Sequence, residues 1–225
     1  MFEEQLKKIE LAEINMDLYP YFIIDKFFDN DMYQIILENI ECIQYIPVLN
    51  CITRETIEII DYIKNNNINT KFKEICEFLI SNKLKLVLLN KFRKLLEDKN
   101  LSINNNLSEK DKKYNMRGLI IKDSKDYEIY PHTDLSRKVI TFIIYLPKDD
   151  QFKKHGTNIL KSINNIKCWD SVRHNPEDFE IYKLCEYIPN RMLCFMKTDN
   201  SWHSVTRIDN DIKRYSFNIQ VQLPK

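Results

Sequence analysis

The chain has 225 residues, 44% of them hydrophobic and 30% charged, with 12 Tyr and 12 Phe. That is ample material for a packed core and argues against disorder. Only two glycines occur, Gly118 and Gly156, so counting alone excludes a P-loop, a dinucleotide-binding fingerprint and other Gly-rich phosphate cradles. With 34 basic against 33 acidic residues, the net charge of +1 creates no field that would mark nucleic acid as a partner.

No apolar run is long enough to span a bilayer. The opening MFEEQLKKIE is acidic and amphipathic rather than signal-like. The cysteines at 42, 51, 76, 168, 185 and 194 form no CxxC pair, and several sit in apolar runs. They read as buried, reduced thiols of a cytoplasmic protein.

In chain order, an amphipathic stretch is followed by PYFIIDKFF, residues 20–28, whose β-branched and aromatic content predicts a strand. Asp29 or Asn30 can cap a helix carrying Ile35, Ile36, Ile40 and Ile43. Residues 51–67, CITRETIEIIDYIKNNN, are read as a further helix, and Asn65 to Asn69 as a polar break. Asn69 or Thr70 can cap a helix with Phe72, Ile75, Cys76 and Leu79 on one face. Another helix gathers Leu84, Val87, Leu88, Leu95 and Leu96, and residues 102–115 read as a loop.

After Asn115 the period changes. RGLIIKD, DYEIYPHTD, KVITFIIYLP, RMLCFMKT and RYSFNIQVQL are short, β-branched or aromatic segments separated by turn residues. Between Asp149 and Asn190 no clean period is visible, and residues 151–189 read as a lid or pocket wall. The plan is one domain over residues 1–225: an α-rich support over 1–115 with one early strand, and a β-rich core over 116–225.

Three of these segments carry candidate chemistry. In YPHTD, Pro131 biases Tyr130 toward an extended conformation. Side chains alternate in an extended chain, so His132 and Asp134 share a face and offer an imidazole and a carboxylate to a metal. His203, in SWHSV 71 residues later, can supply a third arm. Two histidines and one carboxylate on one side of a divalent ion leave positions open, a geometry suited to non-haem Fe(II) oxygen chemistry. Eleven residues beyond His203, the strand RYSFNIQVQL puts Arg214, Ser216, Asn218 and Gln220 on one face and Tyr215, Phe217, Ile219 and Val221 on the other. An Arg fork beside a Ser donor suits a carboxylate ligand. In KVITFIIYLP, Thr141 and Tyr145 place two hydroxyls on an otherwise apolar face, where they need partners.

Taken together, these segments resemble the Fe(II)/2-oxoglutarate-dependent dioxygenase superfamily, in its prolyl-hydroxylase-like branch. The resemblance rests on His132-Thr133-Asp134, then Lys138 through Thr141 to Tyr145-Leu146, His155-Gly156-Thr157, His203, and Arg214-Tyr215-Ser216, all in order. It covers most of residues 116–225 and a patch near 20–37. It implies an α+β fold with a double-stranded β-helix (jelly-roll, cupin-like) core. It implies Fe(II) held by His132, Asp134 and His203, with 2-oxoglutarate as cosubstrate and O2 as oxidant. The distal carboxylate of 2-oxoglutarate would meet Arg214, with Ser216 and Tyr145 as donors. The implied outcome is hydroxylation of a C–H bond with release of succinate and CO2. A catalytically silent binding module on the same fold is the alternative.

The chain departs from the family pattern at two turns. His155-Gly156 stands where Gly-Gly is frequent, and Pro189-Asn190 precedes the RMLCFM strand where Gly is frequent. Asn tolerates a left-handed backbone, so the second change is mild. His174, in a polar loop, reads as exposed, Trp202 as packing rather than binding, and Arg137 could face an anionic substrate or solvent. The substrate, a small molecule or a side chain, and the oligomeric state are not legible in the sequence.

Overall fold

The structure, a computed structural model, describes residues 2–64, 68–97 and 114–224. Asn65 to Asn67 of the expected polar break, and most of the loop expected over 102–115, lie outside the described residues.

The first part of the chain runs α1 (Glu3–Leu11), β1 (Tyr21–Ile24), α2 (Asn30–Ile40), β2 (Ile46–Val48), β3 (Cys51–Glu58), α3 (Ile59–Tyr62), α4 (Thr70–Leu79), α5 (Asn82–Lys91) and α6 (Arg93–Glu97). The β-rich part follows as β4 (Asn115–Asp123), β5 (Ile129–His132), β6 (Lys138–Tyr145), β7 (Thr157–Ser162), β8 (Phe179–Cys185), β9 (Met192–Met196), β10 (His203–Val205) and β11 (Arg214–Gln222). The strands form a seven-stranded sheet in the order β1-β9-β6-β11-β4-β3-β2 and a four-stranded sheet in the order β5-β10-β7-β8. Every pairing is antiparallel. This is the jelly-roll, double-stranded β-helix core that the resemblance implies, with helices packed on the outer face of the larger sheet.

Strand alternation divides the molecule. On β11, Tyr215, Phe217, Ile219 and Val221 join the core shared with Ile36, Phe72, Leu79 and Leu84 of the helices. Arg214, Ser216, Asn218 and Gln220 face the opposite way, into a cleft. The helix starts follow their caps. Asp29 accepts from the Met32 N–H at 2.8 Å and Asn69 from the Phe72 N–H at 3.1 Å, each closing an otherwise orphaned donor.

Residues 51–58, expected as the start of a helix, form strand β3 instead, and the helix that follows is only α3. Asn50 turns the chain at φ 63°, and β3 then pairs with β4 from Arg54↔Asp123 to Glu58↔Leu119. The β-branched content of this segment (Ile52, Thr53, Thr56, Ile57) favours the strand once a sheet edge is available. Among the described residues, three strands therefore precede residue 115, not one. The helix expected across Leu84 to Leu96 breaks at Phe92, a fully buried ring stacked on Phe22 at 5.8 Å. The stretch 151–189 is more than a lid, because it contributes β7 and β8, half of the smaller sheet.

Both departures from the family pattern have local explanations. Asn190 adopts φ 59°, and its buried side chain accepts from the Phe28 N–H at 2.9 Å and donates to the Phe28 carbonyl at 2.8 Å. It ties the segment after β1 to the turn before β9, which a glycine could not do. At Gly156 a Cβ would lie 1.9 Å from the Cys185 carbonyl oxygen, so the close approach of two backbones requires glycine there.

Candidate metal and anion site

The cleft between the two sheets encloses about 250 Å³. His132 ends β5, His203 begins β10, and the two residues are partners in the β5–β10 ladder. That register sets their rings 4.3 Å apart between centroids. Asp134 follows two residues beyond the end of β5. One ligand atom from each of His132, Asp134 and His203 lies within 4.8 Å of the others, and all three residues are buried.

Hydrogen bonds prepare these three side chains for a cation. His132 Nδ1 lies 2.9 Å from the Tyr130 carbonyl oxygen and His203 Nδ1 lies 3.0 Å from that of Ser201. A carbonyl only accepts, so each Nδ1 carries the proton and each Nε2 keeps its lone pair. Burial, followed by the neighbouring His203, pulls the His132 imidazole down to about 3, and burial lowers His203 as well. Both rings are therefore neutral near pH 7. Burial alone would raise the Asp134 carboxyl, but Lys138 and the two histidines outweigh it and hold it below the usual carboxylate range. Its Oδ1 accepts from Lys138 Nζ at 2.5 Å and its Oδ2 from Thr141 Oγ1 at 2.7 Å. Two neutral imidazoles and an ionised carboxylate suit a divalent transition ion with open coordination positions.

At the other end of the cleft, Arg214 begins β11 and is 2% exposed. Its Nε donates to the His155 carbonyl at 2.7 Å and its Nη1 to Asp123 Oδ2 at 2.8 Å. The guanidinium carbon lies over the rings of Tyr145 and Tyr187, at 5.6 and 5.3 Å from their centroids, and the two rings meet edge-on at 5.6 Å. Asp123 also accepts a bidentate pair from Arg54, at 2.6 and 3.0 Å. One buried carboxylate thus serves two guanidiniums, leaving one formal positive charge at this end. Ser216, next on the inward face, lines the same cleft.

The other expected residues fall as follows. Tyr145 is fully buried, and its hydroxyl donates to Thr157 Oγ1 at 2.7 Å. Thr141, noted only as an inward hydroxyl, is the residue that orients Asp134. Lys138, not Arg137, faces the cleft. His174 is half-buried against Trp202, with ring centroids 4.8 Å apart, rather than exposed. Trp202 packs as expected, and its Nε1 donates to the Ile166 carbonyl at 2.9 Å. All six cysteines are free, but only Cys76, Cys185 and Cys194 are buried, while Cys42 is exposed. No helix among the described residues is long and apolar enough to cross a membrane.

Sequence reasoning missed Arg54, Asp123 and Lys197. Asp123 was accessible in principle, because it continues the alternation Arg117, Leu119, Ile121 on the inward face of β4. Arg54 was hidden by the helical reading of its segment. Lys197 is buried, and its ammonium donates to Thr133 Oγ1 and to the Cys168 and Thr198 carbonyls at 2.8 to 3.1 Å. Burial pulls it down to about 8. No carboxylate among the described residues bonds it, and nothing in the local sequence announces it.

No family model matches the chain, and no curated protein does. Solved structures do match. A prolyl-4-hydroxylase from Pseudomonas putida aligns with a TM-score of 0.55 and 11% identity over 100% of both chains. A prolyl 4-hydroxylase from Phytophthora capsici aligns at 0.57 and 14% identity, over 100% of this chain and 66% of that one. HygX from Streptomyces hygroscopicus, solved with nickel, 2-oxoglutarate and hygromycin B, aligns at 0.56 and 8% identity, over 99% of this chain and 88% of that one. At these identities the likeness establishes the fold, which is that of 2-oxoglutarate and Fe(II)-dependent oxygenases.

Proposed function

We propose that this protein is an Fe(II)- and 2-oxoglutarate-dependent dioxygenase that hydroxylates a C–H bond and releases succinate and CO2. The observation that carries this reading is the convergence of His132, Asp134 and His203 with both Nε2 atoms free and the carboxylate ionised.

In this reading His132, Asp134 and His203 hold the iron, which supplies oxygen activation driven by decarboxylation of the cosubstrate. Thr141 fixes the plane of the Asp134 carboxylate. The Tyr130 and Ser201 carbonyls hold each imidazole in its ligating tautomer. Arg214 takes the distal carboxylate of 2-oxoglutarate, assisted by Ser216, while the rings of Tyr145 and Tyr187 hold the guanidinium in place by cation–π contact. Tyr145 acts mainly through this ring contact, since its hydroxyl donates to Thr157. Ile143, Phe195 and Val205 line the cleft with apolar surface, and Phe195 lies 4.8 Å from the His203 ring, keeping water from the reacting end.

The test is anaerobic addition of Fe(II) and 2-oxoglutarate to the purified protein. A weak visible charge-transfer band is expected, and its loss in His132→Ala and His203→Ala. No metal-dependent binding of 2-oxoglutarate by the wild type would end this reading. Cosubstrate binding without succinate formation across a broad pool of metabolites and peptides would favour the silent binding module.

A further inference from the structure

The cleft has a second polar end, apart from the Arg214 end. Strand register shows where it lies. On β11, Gln220 pairs with Arg117 of β4 on one side and with Thr141 of β6 on the other. Paired residues in a sheet point to the same face, so Arg117, Gln220 and Thr141 form a row across the cleft. Lys138 lies at the start of β6, beside that row. Four residues of β11 separate Gln220 from Ser216, roughly 13 Å at strand rise. This row is therefore at the metal end, well away from Arg214.

Three groups at this end keep hydrogen-bonding capacity that the metal and 2-oxoglutarate sites do not use. Arg117 directs Nε and Nη2 to a single oxygen, Glu58 Oε1, at 2.9 and 2.5 Å, and its Nη1 has no hydrogen-bond partner among the described residues. Lys138 carries three N–H donors, of which one is engaged by Asp134. Gln220 is 3% exposed, and its Nε2 donates to Asn218 Oδ1 at 2.7 Å. Its Oε1 has no partner among the described residues. A buried acceptor without a donor is costly, so this oxygen suits an N–H or O–H group on a bound molecule.

Charge gives the same answer. Arg54, Arg117, Lys138 and Arg214 line the cleft, and the carboxylates that serve them are Asp123, Glu58 and Asp134. Four cations against three carboxylates leave one formal positive charge. A divalent ion and a dianionic cosubstrate cancel each other, so that charge persists when both are bound. A cleft with an uncompensated cation favours an anionic guest.

We propose that the Arg117–Gln220–Lys138 end of the cleft is the substrate subsite, and that it selects a small substrate bearing a carboxylate or phosphate group held by Arg117 and Lys138, with a hydrogen-bond donor of the substrate directed at Gln220. The assignment rests on the dioxygenase reading for the bound metal and cosubstrate, and it names the substrate class that reading leaves open.

The experiment is calorimetric titration of nickel-loaded protein, redox-inert with respect to turnover. 2-Oxoglutarate is added first, then acetate or methyl phosphate as the probe for each anion class. Failure of 2-oxoglutarate to bind would remove the dioxygenase reading itself. If 2-oxoglutarate binds, saturable binding of at least one probe is expected, at least fivefold weaker in Arg117→Gln. Glu58→Gln, which frees Arg117 from its carboxylate, should bind that probe at least twofold more tightly, and it provides an answer even where Arg117→Gln folds poorly. The identity of the binding probe tells carboxylate from phosphate. With 2-oxoglutarate bound, the absence of saturable binding by either probe would overturn the proposal. So would probe affinity that is indifferent to both substitutions.

Discussion

Arg214 Nη1 donates to Asp123 Oδ2 at 2.8 Å, and both side chains are almost wholly removed from solvent, at 3% and 0% exposure. The pair joins the first residue of β11 to the last of β4. Because Arg54 grips the same carboxylate, Asp123 holds together three strands of the larger sheet as well as the cleft floor. Removing one member of a buried ion pair strands the other, a cost of about 3–5 kcal/mol. Asp123→Asn is nearly isosteric and leaves two guanidiniums facing a neutral amide. Urea denaturation should show a loss of that size. A loss below about 1 kcal/mol would mean that solvent or rearrangement already compensates the pair.

Thr141 offers a cleaner probe of the metal site. Its hydroxyl donates to Asp134 Oδ2, and Val has the same shape without the donor. Outer-shell hydrogen bonds of this kind are worth roughly 10–100-fold in metal affinity. Thr141→Val should weaken metal binding by that factor, read by competition with a chelator, while the far-ultraviolet circular dichroism remains that of the wild type. Unchanged affinity would show that Lys138 alone orients the carboxylate.

Asn190→Ala should be markedly destabilising even though the side chain is far from any proposed chemistry. The substitution leaves the Phe28 N–H and carbonyl without their side-chain partners, at about 1–3 kcal/mol for a buried unsatisfied group. It also puts a Cβ residue that lacks Asn's tolerance at φ 59°. Asn190→Gly relieves the backbone but not the hydrogen bonds, so its melting temperature should fall between those of the wild type and Asn190→Ala. If the glycine variant matched the wild type, the Phe28 contacts would contribute nothing.

The metal-free protein should lose stability in mild acid. Burial, then the neighbouring His203, holds folded His132 neutral down to about 3, whereas an unfolded histidine protonates near 6.5. A lowered pKa on folding means that the contribution is intact above about pH 6.5 and is lost as pH falls through the window from 6.5 to 3. The slope from this group reaches about 1.4 kcal/mol per pH unit, and His203 acts in the same direction. Denaturant titrations of metal-free protein between pH 7.5 and 5 measure it. His132→Asn should flatten the curve, and an equally steep curve in that variant would assign the acid loss to other groups.

The parts of this protein that the sequence determined by itself are those that depend on neighbours along the chain. Alternation on an extended backbone placed His132 with Asp134, and Arg214 with Ser216, Asn218 and Gln220, because every second side chain of a strand points the same way. The caps were legible to within one residue, at Asp29 or Asn30 and at Asn69 or Thr70, for the same reason: a carboxylate or amide reaches donors only two or three residues ahead. The two-glycine count excluded phosphate cradles, and its positive counterpart is an anion end built from Arg214 on a strand.

What only the tertiary structure decided depends on which strands become neighbours. The segment 51–58 carries patterns compatible with helix or strand, and pairing with β4 resolved it as a strand, bringing Arg54 to Asp123 across 69 residues. The same register set Arg117 beside Gln220 and so disclosed a second cationic end of the cleft. Lys197 became a buried lysine among carbonyl groups only when β9 and the segment around Cys168 met. Local rules fix the face on which a side chain lies, and the partner across that face is set by long-range strand pairing, which the burial of apolar surface across the whole chain selects.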